Sequence, residues 1–312
     1  MLAPIIAALV GSAASPTTDR PTFEWPFDIK GKTILVAGAH PDDEWGLSPL
    51  LAEACLDRGA KCHFAVASEA HSYGCILSMG LKDPEKCTRL RRLEMMRSAA
   101  LFRGTAEFFG WEDFFYGFNQ RGMDKTIADW AIAAGGHDAL VSRWFKVLRE
   151  RKPAIVFTLD PRHGSTCHPG HRANAALLLE AMNRLPTTQR PELWFEQTDN
   201  IENRSEVVAA ANKQVGYLAW PETTNETRWF DANRKLRSGR RAYDYALLVR
   251  RTHATQYAEE ASGKSKPYAP ANLRHVPLAR YTGQALPDYC TALAIDLPTF
   301  DIPGNKEKFG LK

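Results

Sequence analysis

Short apolar runs alternate with helical patterns along most of this chain. Runs bounded by polar residues or glycine predict buried β-strands at 33–39, 62–67, 106–109, 154–159 and 193–197. Apolar residues at helical spacing predict helices at 47–58, 83–102, 126–151, 168–182 and 243–261. This alternation predicts a single α/β domain with a Rossmann-like, mainly parallel sheet and helices on both faces.

The two ends of the chain fall outside this alternation. The sequence divides into a leader-like apolar segment with an extended lead-in (1–31), the α/β domain (32–261) and an irregular wrapping tail (262–312). Residues 1–15 are apolar and then small, as in a secretory leader, but lack its basic start. An apolar helix packed on the domain is the alternative. The location therefore stays open: extracytoplasmic if the segment is a leader, and cytoplasmic otherwise.

Composition narrows the classes of partner. The 312 residues are 44% hydrophobic and 24% charged, which is ordinary for a globular protein. A net charge of +4 is small for this length and argues against a nucleic-acid partner. No apolar run reaches the roughly 18–20 residues of a membrane span. The oligomeric state stays open.

The six cysteines leave the redox environment open. None of them forms a Cys-x-x-Cys pair, which excludes a zinc ribbon and a thioredoxin motif. Cys75 and Cys87 flank a predicted loop and could form a disulfide in an exported protein. The alternative is six reduced cysteines, mostly buried as small apolar side chains.

A dense polar cluster follows the first predicted strand. The segment Gly38–Glu44 (GAHPDDE) contains one imidazole, that of His40, and the three adjacent carboxylates of Asp42, Asp43 and Glu44. Adjacent carboxylates repel one another, and helix capping would use only one or two of them. A bound cation, in contrast, uses the imidazole and the carboxylates together. The cluster therefore predicts a metal site.

A second polar loop follows the strand predicted at 154–159 and contains His163, with His168 and His171 at the start of the next helix. In an open parallel sheet the ligand site lies at the carboxyl ends of the strands, so this loop should meet the first cluster. Two imidazoles and a carboxylate with one open position form a common catalytic zinc site. An iron(II) oxygenase uses the same three ligands, but the strand–helix alternation disfavours the all-β barrel of those enzymes.

Four motifs carry a resemblance to a known family. They are Ala39–Glu44 (AHPDDE), Arg91-x-x-Glu94, His168–Ala173 (HPGHRA) and His253–Gln256 (HATQ). Over roughly residues 32–260, their order and spacing are similar to those of the LmbE-like, or PIG-L, family of zinc-dependent N-acetylglucosaminyl deacetylases. The resemblance implies hydrolysis of an N-acyl, usually N-acetyl, amide on an amino sugar or its conjugate, with Zn2+ as cofactor.

The resemblance also implies a role for individual side chains. The implied zinc ligands are His40, Asp43 and His171. Asp42 would be the general base that activates the water at the metal. His168 would stabilise the oxyanion and help to protonate the leaving amine. Glu44 would support the loop, and Arg91 would help to hold the sugar or a charged aglycone.

Two positions depart from the family pattern. Gly170 stands where the family block usually has aspartate, and Thr166 stands where some members have tyrosine. A carboxylate at position 170 could orient the catalytic imidazole and raise its pKa, so its loss weakens the case for His168 as an acid. A catalytically impaired carbohydrate-binding relative is therefore an alternative function.

Three features also have a structural interpretation. Arg91 and Glu94, one helical turn apart, are expected to form an intrahelical ion pair. His253 lies next to two arginines on a predicted helix, and a structural role is at least as strong an expectation as a functional one. The aromatic segment 108–118 could line a sugar-binding cleft, but its area favours core packing.

Overall fold

A computed structural model describes residues 21–69, 75, 81, 83–113, 120–161, 164, 168–197, 227–263 and 274–283. The strands in these residues are β1 (Thr33–Gly38), β2 (Lys61–Ser68), β3 (Thr105–Trp111), β4 (Ile155–Leu159), β5 (Glu192–Glu196), β6 (Thr227–Asp231) and β7 (His275–Arg280). The helices are α1 (Ser48–Leu51, continued by a π-helix at Ala52–Asp57), α2 (Pro84–Leu101), α3 (Gln120–Ala134), α4 (His137–Arg151), α5 (Pro169–Asn183), α6 (Tyr243–Thr252) and α7 (Ala258–Ala261).

All seven strands belong to one sheet, in the order β3-β2-β1-β4-β5-β7-β6. β1 to β5 run parallel, and β7 pairs antiparallel with both β5 and β6. The chain moves from β1 toward β3 on one side and then from β4 to β5 on the other, so the strand order reverses between β1 and β4. Open parallel sheets bind ligands outside the carboxyl ends of the strands at such a point. The predicted α/β fold is confirmed.

The alternating side chains of β1 show why helices cover both faces of the sheet. Ile34 and Val36 contribute to one core with α1, α2 and α6, whereas Leu35 and Ala37 contribute to another with α3, α4 and α5. A strand that is buried on both faces is apolar at nearly every position. The run Ile34–Ala37 (ILVA) has this character, and the buried strand ends directly in front of the polar cluster.

Local sequence signals explain where several helices begin and end. Asp83 caps α2 by accepting the backbone N–H of Lys86 at 2.9 Å, and proline occupies the first turn. Gly135 and Gly136 have φ values of +90° and +130° and separate α3 from α4, so the helical pattern at 126–151 is interrupted at these two residues. None of the helices among the described residues has the length and apolar character that a membrane crossing requires.

The antiparallel edge of the sheet and the last predicted helix differ from the predictions. β6 is formed where the sequence predicts no strand, and β7 lies inside the segment 262–312, which was expected to be irregular. β7 contains Pro277, and proline argues against an inner strand. The single helix predicted at 243–261 is two, because the chain leaves α6 at His253 and starts α7 at Ala258.

Four of the cysteines are described, and they form the disulfides Cys55–Cys62 and Cys75–Cys87. The second pair is the one that the sequence allows, and the alternative of reduced cysteines is wrong for these four. The Cys75–Cys87 bridge connects the segment between β2 and α2 to the first turns of α2. The disulfide is therefore attached to the helix that also carries Arg91.

Candidate active site

Three side chains from two loops meet at the carboxyl ends of β1 and β4. His40 and Asp43 follow β1, and His171 lies in the first turn of α5. Nε2 of His171 is 2.9 Å from Nδ1 of His40 and 3.2 Å from Oδ1 of Asp43, and the last two atoms are 3.6 Å apart. The fold therefore brings together the three residues that the resemblance implies as metal ligands.

The hydrogen bonds of the two imidazoles determine which nitrogens carry protons. Nδ1 of His171 donates to the carbonyl oxygen of Gly164 at 2.7 Å, so Nε2 of the neutral ring has a lone pair. Nε2 of His40 donates to Oδ1 of Asp113 at 3.1 Å, so Nδ1 of this neutral ring has a lone pair as well. When both rings are neutral, two lone pairs and a carboxylate oxygen therefore converge, which is an arrangement that a cation stabilises.

The spacing and the charge of this group suit a small tetrahedral cation. Zinc bonds of about 2.0–2.1 Å at tetrahedral angles place ligand atoms about 3.3–3.4 Å apart, and the observed separations of 2.9 and 3.6 Å bracket that value. Burial alone lowers the pKa of His40, but the carboxylates of Asp113 and Asp43 outweigh it and raise this pKa to about 10. Without a metal, His40 is therefore protonated on Nδ1 near neutral pH, and a bound cation would take the place of that proton.

Asp43 is held by the backbone of its own loop. Its Oδ2 accepts the N–H groups of Ala39 at 2.6 Å and His40 at 2.9 Å, which leaves Oδ1 directed at the imidazoles. Burial raises the pKa of Asp43, but interactions with His171 and His40 outweigh it and hold the pKa well below its usual range. Asp43 is therefore ionised, as a metal ligand must be.

His168 offers an alternative ligand set, because nitrogens of His40, His168 and His171 all lie within 4.8 Å of one another. However, His168 is the N-cap of α5, and its Nδ1 accepts the N–H of Gly170 at 3.2 Å. The proton of the neutral ring is then on Nε2, which makes that nitrogen a donor. Burial, followed by His171 and His40, lowers the pKa of His168 well below its ordinary value, so the neutral form dominates. We therefore favour Asp43 as the third ligand.

Asp42 lies beside the three candidate metal ligands in a strained backbone conformation. Its φ of +113° is one that residues other than glycine rarely adopt, and such strain is concentrated at functional sites. Oδ1 accepts from the guanidinium of Arg91 at 3.1 Å, and Oδ2 accepts from the hydroxyl of Tyr257 at 3.4 Å. Burial raises the pKa of Asp42, and Arg91 opposes this effect. Both carboxyl oxygens are thus held by other elements.

Arg91 is buried against the loop that carries Asp42. The residue is 2% exposed, and its guanidinium donates to the carbonyl of Pro41 at 2.6 Å as well as to Asp42. Glu94 instead accepts the N–H and the hydroxyl of Thr255 at 2.9 and 2.5 Å. The expected Arg91–Glu94 ion pair is therefore wrong, because each side chain contacts a different element. In this position Arg91 can support Asp42, and contact with a sugar stays a prediction.

Glu44 forms a buried network behind the site. Its Oε1 accepts from the hydroxyl of Ser98 at 2.5 Å and from Nε2 of His253 at 2.6 Å, and its Oε2 accepts the N–H of Asp42 at 3.2 Å. Glu44 is 2% exposed and His253 is fully buried. Burial lowers the pKa of His253, but Glu44 outweighs it and raises the pKa. Glu44 supports the loop as the resemblance implies, and His253 supplies the support from α6.

Replacing Glu44 with alanine should therefore destabilise the protein strongly. Breaking a buried ion pair by removing one partner costs about 3–5 kcal/mol, because the other charge stays buried without compensation. The free energy of unfolding from urea titrations would measure this loss. The matched control is Glu85→Ala in the solvent-exposed pair Arg89–Glu85 of α2, which should leave the urea midpoint unchanged. Equal midpoints for both variants would contradict the supporting role of Glu44.

Two contacts of the site involve residues that the sequence analysis missed. Asp113 follows β3 at the same sheet edge, so the rule that polar groups gather at the carboxyl ends of parallel strands could have found it. Tyr257 lies between α6 and α7 and reaches Asp42 from 215 residues away in sequence, and no sequence signal predicts this contact. His163, Thr166 and residues 114–118 of the aromatic segment 108–118 lie outside the described residues.

Comparison with known families gives one match. Residues 35–182 match the family model PIG-L, described as GlcNAc-PI de-N-acetylase. This segment extends from β1 into α5 and includes His40, Asp43 and His171. The resemblance to the PIG-L family is thereby confirmed, and this match supports N-deacetylase chemistry. No curated protein matches the chain in sequence.

The solved structures with a similar fold include three proteins with different described activities. One is an N,N'-diacetylchitobiose deacetylase from Pyrococcus horikoshii, with 18% identity, 75% of each chain covered and a TM-score of 0.43. Another is the A40926 pseudoaglycone deacetylase Dbv21, with 14% identity, 82% of this chain and 100% of that chain covered and a TM-score of 0.49. The third is GalB, the 4-carboxy-2-hydroxymuconate hydratase from Pseudomonas putida KT2440, with 18% identity, 82% and 98% covered and a TM-score of 0.41. At these identities the likenesses do not distinguish one reaction from another.

Proposed function

Since residues 35–182 match the PIG-L family model, we propose that this protein is a zinc-dependent hydrolase that removes an N-acyl, usually N-acetyl, group from an amino sugar or its conjugate. The convergence of His40 Nδ1, His171 Nε2 and Asp43 Oδ1 carries the proposal. Three protein ligands leave one tetrahedral position open, as in catalytic zinc sites. Bound zinc would supply Lewis-acid chemistry, which polarises an amide carbonyl and makes water nucleophilic near neutral pH.

Asp42 is the proposed general base. Its carboxylate takes a proton from the water that attacks the amide carbonyl. It then delivers this proton to the nitrogen as the C–N bond breaks, so the products are a carboxylate and a free amine. The Arg91 guanidinium and the Tyr257 hydroxyl hold its two oxygens. These contacts keep the carboxyl group in one orientation during both transfers.

His168 is the proposed oxyanion donor. Because its Nδ1 accepts the N–H of Gly170, its Nε2–H can donate to the carbonyl oxygen as negative charge develops there. This role requires only a neutral imidazole, so it does not need a carboxylate at position 170. We therefore assign protonation of the leaving amine to Asp42, and not to His168.

A screen of N-acetylated amino-sugar conjugates on the zinc-loaded protein tests the proposal. We expect at least one class of conjugate to release free amine and acetate in equal amounts, because hydrolysis of one amide bond yields one of each. Chelation should abolish the release, and added zinc should restore it. The matched control is the same conjugate carrying a free amine, which should yield no acetate.

Two alternatives predict different results in the same experiment. A catalytically impaired carbohydrate-binding relative would bind sugars without releasing amine from any conjugate of the panel. An iron(II) oxygenase would contain iron and consume oxygen, and these two observations together would contradict the hydrolase proposal. The mainly parallel sheet gives the oxygenase no support.

A further inference from the structure

Asp113 contacts the metal site from a third loop, just beyond the end of β3. Its Oδ1 is 3.1 Å from Nε2 of His40, and only 14% of the Asp113 side chain and 7% of the His40 side chain are exposed. None of the four sequence motifs includes Asp113. We propose that Asp113 is a positioning residue that fixes the ring orientation and the tautomer of His40 for metal binding. This inference rests on the proposed metal-dependent function.

The contact determines which nitrogen of His40 faces the other ligands. An ionised carboxylate can only accept, so the proton of the neutral imidazole lies on Nε2, and Nδ1 keeps its lone pair toward His171 and Asp43. Metal-binding histidines generally donate their second N–H to such a partner, which orients the ring and increases its basicity. His171 has the Gly164 carbonyl for this purpose. Asp113 gives His40 the equivalent partner.

The backbone next to Asp113 is firmly anchored. Nε1 of Trp130 on α3 donates to the carbonyl of Glu112 at 2.6 Å, and the rings of Trp111 and Trp130 are 5.0 Å apart. Trp130 is 1% exposed, so this contact belongs to the core of one sheet face. Positioning groups act well only when they are themselves fixed. The carboxylate of Asp113 is therefore presented from a rigid point.

Gly170 leaves room for this arrangement. A Cβ atom at this position would lie 3.0 Å from Nε2 of His40 and 3.3 Å from Nδ1 of His168. Any side chain at position 170 would thus crowd the nitrogen that Asp113 contacts. In this chain position 170 has no side chain, and a carboxylate from the loop after β3 lies next to His40.

Zinc affinity of purified variants tests the inference independently of activity. Asp113→Ala should bind zinc about 10–100-fold more weakly than the wild type in competition with a chromophoric chelator, which is the usual effect of losing such a partner. Asp113→Asn keeps an acceptor oxygen but loses the charge, so its affinity should lie between the two. The visible spectrum of the cobalt(II)-substituted Asp113→Ala protein should also differ from that of the wild type, because the His40 ring is no longer fixed.

Glu107→Ala is the matched control. Glu107 on β3 accepts from Nε2 of His63 at 2.6 Å, which makes it a second carboxylate–imidazole pair built on the same strand. The zinc affinity of the Glu107→Ala protein should equal that of the wild type. Unchanged affinity in Asp113→Ala, or an equal loss in Glu107→Ala, would overturn the inference. If circular dichroism shows Asp113→Ala to be unfolded, Asp113→Asn decides by the same affinity measurement. A wild-type protein that takes up no divalent metal would instead contradict the proposed function.

Discussion

Asp42→Asn should lose most amide hydrolysis and keep its full metal content. General-base catalysis contributes about 10²–10⁴-fold to a rate, so kcat/KM should fall by that order. Asparagine has the same shape, tolerates positive φ better than most residues, and can still accept from Arg91 or Tyr257. The conformation of the loop around position 42 should therefore stay the same, although the base is lost. The measurements are steady-state kinetics and zinc per protein by elemental analysis.

Asp43→Asn is the control at the neighbouring position. Asp43 contributes Oδ1 to the group of metal donors, so its replacement should lower zinc content as well as activity. Of the two adjacent carboxylates, Asp42 is thus expected to act as the base and Asp43 as a metal ligand. Wild-type turnover in Asp42→Asn would contradict the role of Asp42 as base, and loss of zinc from this variant would assign it to the metal shell instead.

The rule that parallel strands collect ligands at one edge accounts for most of what could be predicted. His40 and His171 are 131 residues apart, yet their nitrogens are 2.9 Å apart, because β1 and β4 are adjacent parallel strands and each ends in a polar loop. Both strands are recognisable as short runs that are almost entirely apolar, which is the character of strands buried on both faces. The position of the candidate metal site therefore follows from local patterns combined with one topological rule.

The supporting residues could not be predicted, because their contacts depend on packing between distant elements. Glu44 is expected to support the loop, but the sequence does not indicate that its partner is His253, 209 residues later. Arg91 and Glu94 have the spacing of an ion pair, but the packing of α2 directs them to Asp42 and Thr255 instead. Helical spacing gives a pairing preference of only a few tenths of a kcal/mol, which tertiary contacts easily exceed.

The antiparallel edge was missed for a related reason. β6 and β7 are short, and β7 contains a proline opposite Trp229 of β6. Proline offers no N–H to a neighbouring strand, so the pattern resembles an irregular segment. What makes β7 a strand is the free edge of β5, with which it pairs from Trp194 to Glu196. This pairing partner lies far away in sequence and is invisible in a local pattern.

His171→Ala should release the metal, whereas His168→Ala should retain it. Nε2 of His171 lies 2.9 Å from Nδ1 of His40 and 3.2 Å from Oδ1 of Asp43, which are the other two proposed ligand atoms. Removing it therefore leaves two protein donors for the metal. We expect the zinc affinity of His171→Ala to fall by more than roughly 100-fold, which is the upper end of the loss caused by removing a hydrogen-bond partner of a metal ligand. His168 uses Nδ1 to cap α5 and carries its proton on Nε2, so its replacement should reduce turnover and leave the zinc content unchanged.

The same pair of variants separates the two ligand sets that the geometry allows. Zinc content measured after dialysis against a defined zinc buffer would show which histidine the metal requires. If the metal requires His171 but not His168, the ligands are His40, Asp43 and His171, and His168 is available as the oxyanion donor. Loss of zinc from His168→Ala with retention in His171→Ala would reverse these assignments. The oxyanion donor would then have to come from elsewhere, because an imidazole that binds the metal through Nε2 has no proton there to donate.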